Sequence, residues 1–121
     1  MTQVQMHGIS NCDTIKKAKQ WLTDAGIEFS FRDYKKQPPS VSELEQWAAI
    51  VDWELLLNKR GTTWRKLPLE QQQSVTAQNV CQLLAEHPSM IKRPLLVLQS
   101  APQTPAFVGF KAAQYANIFN I

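Results

Sequence analysis

The sequence predicts an α/β fold with a four-stranded mixed sheet and a helical insertion between strands two and three. Three observations predict it. A strand pattern, a helical pattern and a second strand pattern follow one another within residues 4–32. A stretch with helical periodicity then begins after Pro38-Pro39. The chain closes on an apolar strand, a short further strand and a last helix.

The first strand is the alternation Val4-Gln5-Met6-His7. Gly8-Ile9-Ser10-Asn11 reads as a loop. Ile15, Ala18, Leu22 and Ala25 then recur at helical spacing, and Gly26 stands where a helix would stop. Ile27, Phe29 and Phe31 alternate with Glu28, Ser30 and Arg32, a second strand with one buried face. Two strands joined by a crossover helix should lie parallel with a right-handed connection.

After Pro38-Pro39, Ser40 and Glu43 form a capping-box signature, and Leu44, Trp47, Ala48 and Val51 make a helical stripe. Asp52 can cap a short helix through Trp53, Leu55 and Leu56. Residues 58–65 read as a loop, Pro68 to Gln73 as a helical turn, and Ala77, Val80, Cys81 and Leu84 as a helix ending near His87-Pro88. Arg93-Pro94 leads into the apolar strand Leu95-Leu96-Val97-Leu98. A turn at Pro102 and a strand at Ala106-Phe107-Val108 complete a hairpin. After Gly109, a helix from Lys111 to about Phe119 places Ala112, Tyr115 and Ile118 on one face. The order βαβ, helices, ββα is a thioredoxin-like layout: one domain over residues 1–121, with a helical insertion at about 38–88.

The chain has 121 residues, 44% hydrophobic and 19% charged, with two cysteines. A chain of this length can bury a core without covalent staples. Two cysteines do not make the disulfide framework of a small secreted protein. The first residues lack the charged and apolar blocks of a signal peptide, and no apolar run reaches the ~18 residues of a membrane span. The expected setting is cytoplasmic and reducing, for a monomer. A net charge of +3 suits small anionic substrates but is not the basic stripe of a nucleic-acid binder. Neither a metal nor a bound cofactor is expected.

The chemistry concentrates at Cys12. The loop ending at Asn11 delivers this residue to the N-cap of the first helix, where first-turn amides lack partners within the helix. Those amides and the helix dipole favour a thiolate, the nucleophilic form. Thr14 can add a hydroxyl donor. Lys16, four residues on, shares the face of Cys12 and can support the thiolate or a bound anion. As side chains taken alone, Lys16 and Lys17 read first as solvated charges rather than as site residues. Cys81 lies on the apolar stripe with Ala77, Val80 and Leu84 and reads as core. The residue three after Cys12 is Ile15, so the site has no Cys-x-x-Cys dithiol, and a second thiol must come from elsewhere.

Gly8-Ile9-Ser10-Asn11-Cys12-Asp13-Thr14-Ile15-Lys16-Lys17-Ala18, Asn58-Lys59-Arg60-Gly61-Thr62-Thr63-Trp64-Arg65, Ile91-Lys92-Arg93-Pro94 and Val108-Gly109-Phe110 together resemble the ArsC/Spx (arsenate reductase-like) family, most of all its YffB branch. The resemblance implies a catalytic Cys12, with Arg60 and Arg93 converging on it to hold an anion and Pro94 cis beside it. Planar guanidinium forks suit oxyanions and carboxylates. Two departures stand out. Arsenate reductases of the family have an arginine after the last strand, where this chain reads Gly109-Phe110-Lys111. They also carry a histidine four residues before the cysteine, where this chain has Gly8 and places His7 one residue earlier.

The activity so implied is a glutathione-dependent thiol/disulfide or oxyanion reductase. Glutathione is the co-substrate, its carboxylates held by the arginines and Lys16, and the backbone beside Pro94 pairs with the bound peptide. A glutaredoxin or another protein is a further possible partner. One alternative is a non-catalytic Spx-like adaptor binding transcription machinery. The other is a nucleic-acid module on residues 59–66, with Trp64 stacking on a base.

Overall fold

The structure is a computed structural model that describes residues 3–10, 12–99 and 105–121. Strand β1 (Gln3–Gly8) is followed by helix α1 (Asp13–Asp24) and β2 (Ser30–Asp33). The insertion carries α2 (Val41–Ile50), α3 (Trp53–Leu56), α4 (Thr62–Arg65), α5 (Leu69–Gln73), α6 (Val80–Glu86) and a 3-10 turn at Pro88–Met90. Strands β3 (Leu95–Gln99) and β4 (Ala106–Val108) and helix α7 (Ala112–Phe119) end the chain. The sheet order is β2-β1-β3-β4, with β1 parallel to β2 and antiparallel to β3, and β3 antiparallel to β4. This is the mixed four-stranded thioredoxin-like sheet that the element order predicts, with the helical insertion between β2 and β3.

Strand alternation sends side chains to two separate cores. Val4 and Met6 of β1 and Leu96 of β3 pack with Ile15, Ala18 and Leu22 of α1 and Tyr115 of α7. On the other face, Val97 joins Leu44, Trp47, Leu56, Val80, Leu84 and Ile91 of the insertion. Each fully buried Leu or Ile of α1 contributes about 1.5–3 kcal/mol of transfer free energy, so α1 is fixed against the sheet. That anchoring fixes the position of Cys12.

Local details follow the chemistry of single residues. Ser40 and Glu43 close the capping box of α2, and the Asp52 carboxylate accepts from the Glu54 amide at the start of α3. Gly26 ends α1 with φ of 72°, a left-handed conformation that only glycine adopts at no steric cost. Gly8 lets β1 approach α1: a Cβ there would stand 2.5 Å from Cδ1 of the buried Ile15.

Four boundaries differ from the sequence reading. Strand β2 begins at Ser30 rather than Ile27, because the Ile27 amide is still bonded to Leu22 at 2.9 Å. Ile27 and Phe29 nonetheless pack against the α1 core from this link. Residues 62–65 form a helical turn inside the expected loop, held by Arg65 and Lys66 amides on Gly61 and Thr62 and by the burial of Trp64. Helix α6 starts at Val80, because the Asn79 side chain bonds Thr76 and Ser74 and keeps 76–79 in a turn. Ala77 is therefore exposed. Lys111 caps α7, leaving Ala112 exposed and only Tyr115 fully buried. The turn at Pro102 lies outside the described residues.

Candidate functional site

Cys12 is the N-cap residue of α1, with extended backbone at φ −149° and ψ 126°. It is half-buried. Burial alone would raise its pKa, but the backbone amides of Ile15 and Thr14 and the Arg93 guanidinium outweigh it and hold the thiol below its ordinary value. The side chain closes no strict capping hydrogen bond, so the first-turn amides act on the sulfur largely as aligned dipoles.

Arg93 reaches this position from the segment before β3. Its Nη1 donates to the Ser89 carbonyl at 3.0 Å, which fixes the guanidinium from behind. The Arg93-Pro94 peptide bond is cis, and the Pro94 carbonyl accepts from the Gly109 amide at 2.9 Å, tying the site to the end of β4.

The other sequence candidates are placed less closely. Thr14 acts on the sulfur through its backbone amide rather than its hydroxyl. Lys16 donates its amide to the Cys12 carbonyl at 3.0 Å, while its side chain is exposed. Arg60 is exposed on the loop before α4 and is not among the groups that act on Cys12; its backbone amide is held by Asn58 Oδ1. The structure thus brings Thr14 and Arg93 to the cysteine, while Arg60 stands exposed on the loop before α4. Asn11 lies outside the described residues. Trp64 is buried in the insertion core, with Lys59 Nζ 5.6 Å from its ring, so the stacking role on a base is corrected to a packing role.

Beside Cys12 opens a cleft of about 710 Å³. Thr14 and Arg93 line it next to the cysteine, with Lys92, Lys111 and residues 106–109 from the sheet side and Asp52, Glu54 and Leu55 from the insertion. Lys92 and Lys111 escaped the sequence reading. Lys111 carried a signal, since it stands just after the last strand, at the position that the resemblance singled out.

A second polar cluster lies on the insertion face of the sheet. His7 is 5% exposed, with its ring 4.9 Å from Trp47 and 6.3 Å from Tyr34. Burial first, then the Arg32 charge, lowers its pKa to about 4, with Glu43 pulling the other way. Arg32 and Glu43 form a bidentate ion pair above it, and the Glu43 carboxyl is held down at about 2, chiefly by that bond.

This architecture, with a half-buried cysteine at a helix N-cap and an arginine beside it, defines a thioredoxin-like thiol protein. Residues 7–118 match the ArsC family model, and the chain belongs to the ArsC family. It is similar to an uncharacterized protein of Haemophilus influenzae, 38% identical over 116 residues that cover 96% of this chain and 98% of that one. It resembles the solved YFFB protein at 37% identity and a TM-score of 0.85, covering 95% and 97%. It also resembles an arsenate reductase (ArsC) related protein from Brucella melitensis at 44% identity and a TM-score of 0.74, covering 98% and 96%. The global transcriptional regulator Spx of Bacillus subtilis matches at 25% identity over 96 residues, 78% of this chain and 72% of the regulator.

Among the described residues no helix is long and apolar enough to cross a membrane.

Proposed function

We propose that this chain is a glutathione-dependent thiol–disulfide reductase whose nucleophile is Cys12. The observation that carries this reading is the lowered pKa of an accessible N-cap cysteine beside the Arg93 guanidinium. In the first step the Cys12 thiolate attacks the glutathionyl sulfur of a mixed disulfide. A Cys12–glutathione disulfide forms and the substrate leaves as a thiolate, which takes a proton from water. In the second step a glutathione thiolate attacks the glutathionyl sulfur of that adduct, releasing oxidised glutathione and restoring the Cys12 thiolate. In sum one glutathione thiol is oxidised, joining the glutathionyl sulfur already at the disulfide level, and the substrate sulfur is reduced to a thiol.

In this reading Arg93 holds a glutathione carboxylate and lowers the charge cost of the thiolate. Lys92 and Lys111, in the same cleft, suit the second carboxylate. Arg60 and Lys16, both exposed, add positive charge from the flanks. The same constellation would hold an oxyanion in place of a carboxylate, with lysine rather than arginine after the last strand.

Mass spectrometry of the protein treated with oxidised glutathione tests the reading. One glutathione should appear, on Cys12 and not on Cys81, and the small mixed disulfide of cysteine and glutathione should turn over with glutathione. An unmodified Cys12, or adduct on Cys81 alone, would overturn it.

The Spx relatives support a second reading, a non-catalytic adaptor on the same fold. It predicts a stable protein complex with no turnover of glutathione.

A further inference from the structure

The sheet has an open edge, and that edge faces the cleft beside Cys12. Among the described residues, strand β4 pairs with β3 on one side only. Its register places Val108 opposite Leu95, Phe107 opposite Leu96 and Ala106 opposite Val97. The Leu98 amide donates to Pro105, and the Gly109 amide donates to Pro94, each at 2.9 Å. In an antiparallel ladder the backbone groups of alternate residues turn toward the partner. Residues 105, 107 and 109 therefore turn to β3, and the N–H and C=O groups of Ala106 and Val108 turn outward.

Ala106 and Val108 line the cleft of about 710 Å³ that Thr14 and Arg93 also line. The insertion supplies side chains to the same cleft: Ile50 and Leu55, 48% and 57% exposed, and the acidic Asp52 and Glu54. An unpaired edge with apolar side chains beside it is a template for an added strand. The acidic pair suits a basic side chain, which glutathione lacks apart from its amino terminus.

We infer that the substrate is an S-glutathionylated polypeptide, an extended segment of which adds as a fifth strand to the outer edge of β4. The Ala106 and Val108 backbone supplies two donors and two acceptors to this segment. Ile50 and Leu55 receive its apolar side chains, and Asp52 and Glu54 receive a lysine or arginine. This rests on the thiol-reductase reading and names its substrate class.

The test uses the wild-type protein and varies the substrate. A short S-glutathionylated peptide with β-branched residues and lysines flanking its cysteine is compared with the small mixed disulfide of cysteine and glutathione. The peptide should have a kcat/KM about tenfold higher or more. Methylating its backbone amides one at a time should remove that advantage at alternate positions on one flank. Equal kcat/KM for peptide and small disulfide, or N-methylation effects within about twofold at every position, would overturn the inference while leaving the reductase reading intact.

Binding is read separately with Cys12→Ser protein and the reduced peptide. The Ala106 and Val108 amide resonances should shift and exchange more slowly on titration; shifts confined to other strands, or none, would overturn strand addition. Absence of turnover with both disulfides would sink the reductase reading, and the amide titration would still decide whether β4 accepts a strand.

Discussion

The two sides of the sheet each carry one cysteine, and they treat charge in opposite ways. On the α1 side, Cys12 stands at the rim of the core, where amide dipoles and Arg93 favour the thiolate. On the insertion side, Cys81 is 6% exposed, and burial, then the Glu45 charge, raises its pKa. The same face keeps His7 neutral and pushes the Tyr34 hydroxyl far above its usual range through burial. A thiol is therefore made reactive by its place at a helix terminus. An interior position on helix α6, across the sheet, makes the same group inert.

The largest effect should come from Cys12 itself. Cys12→Ser should reduce thiol transfer to background, ~1000-fold or more, since no second nucleophile lies at the helix terminus. A glutathione-coupled turnover assay measures it. Activity left within a few-fold of wild type would erase the contrast between the two cysteines.

The next effect tests the insertion face. Unfolded His7 takes a proton near 6.5 and folded His7 only near 4, so between these values the unfolded chain binds more protons. Stability should be intact above pH 6.5 and fall as the pH drops toward 4, by up to about 3 kcal/mol. Glu43, lowered from 4.5 to about 2, extends the loss in the same direction below pH 4.5. Urea unfolding at a series of pH values checks this. His7→Phe should flatten the segment between pH 6.5 and 4 while leaving the part below. A wild-type profile already flat there would mean that the face tolerates a buried imidazolium.

Arg93 should have a smaller effect. Arg93→Gln removes a charged side chain that stabilises the Cys12 thiolate. The loss should move the pH profile of Cys12 alkylation to higher pH, slowing the reaction at neutral pH with recovery in alkaline solution. Rates of iodoacetamide reaction against pH read this directly. An unchanged profile would assign the whole effect to the first-turn amides.

Much of this contrast was legible in residue order. The spacing of Ile15, Ala18 and Leu22 fixed the buried face of α1 and so put Cys12 at its cap, and the stripe around Val80 and Leu84 placed Cys81 inside. Local periodicity carries that information. The meeting of Arg32 with Glu43 over His7, and the alignment of β4 with Asp52 and Glu54 across the cleft, depend on long-range packing that no local pattern encodes. Arg60 is the reverse case: its role came from the resemblance alone, since no local pattern fixes where an exposed guanidinium reaches from a loop whose backbone is held by Asn58.

Cys81 offers the smallest and most selective test. Its sulfur packs between the insertion helices with Val80, Leu83 and Leu84 of α6 around it in sequence and core. Cys81→Ala removes one buried sulfur and should cost about 1 kcal/mol, read as a lower urea midpoint with an unchanged slope. Glutathione adduct formation on Cys12 should stay at the wild-type rate, because the two cysteines belong to separate cores. A Cys81→Ala protein that stays stable but accumulates the Cys12 adduct without releasing it would mean that the interior thiol resolves the disulfide, and that this side of the sheet opens during turnover.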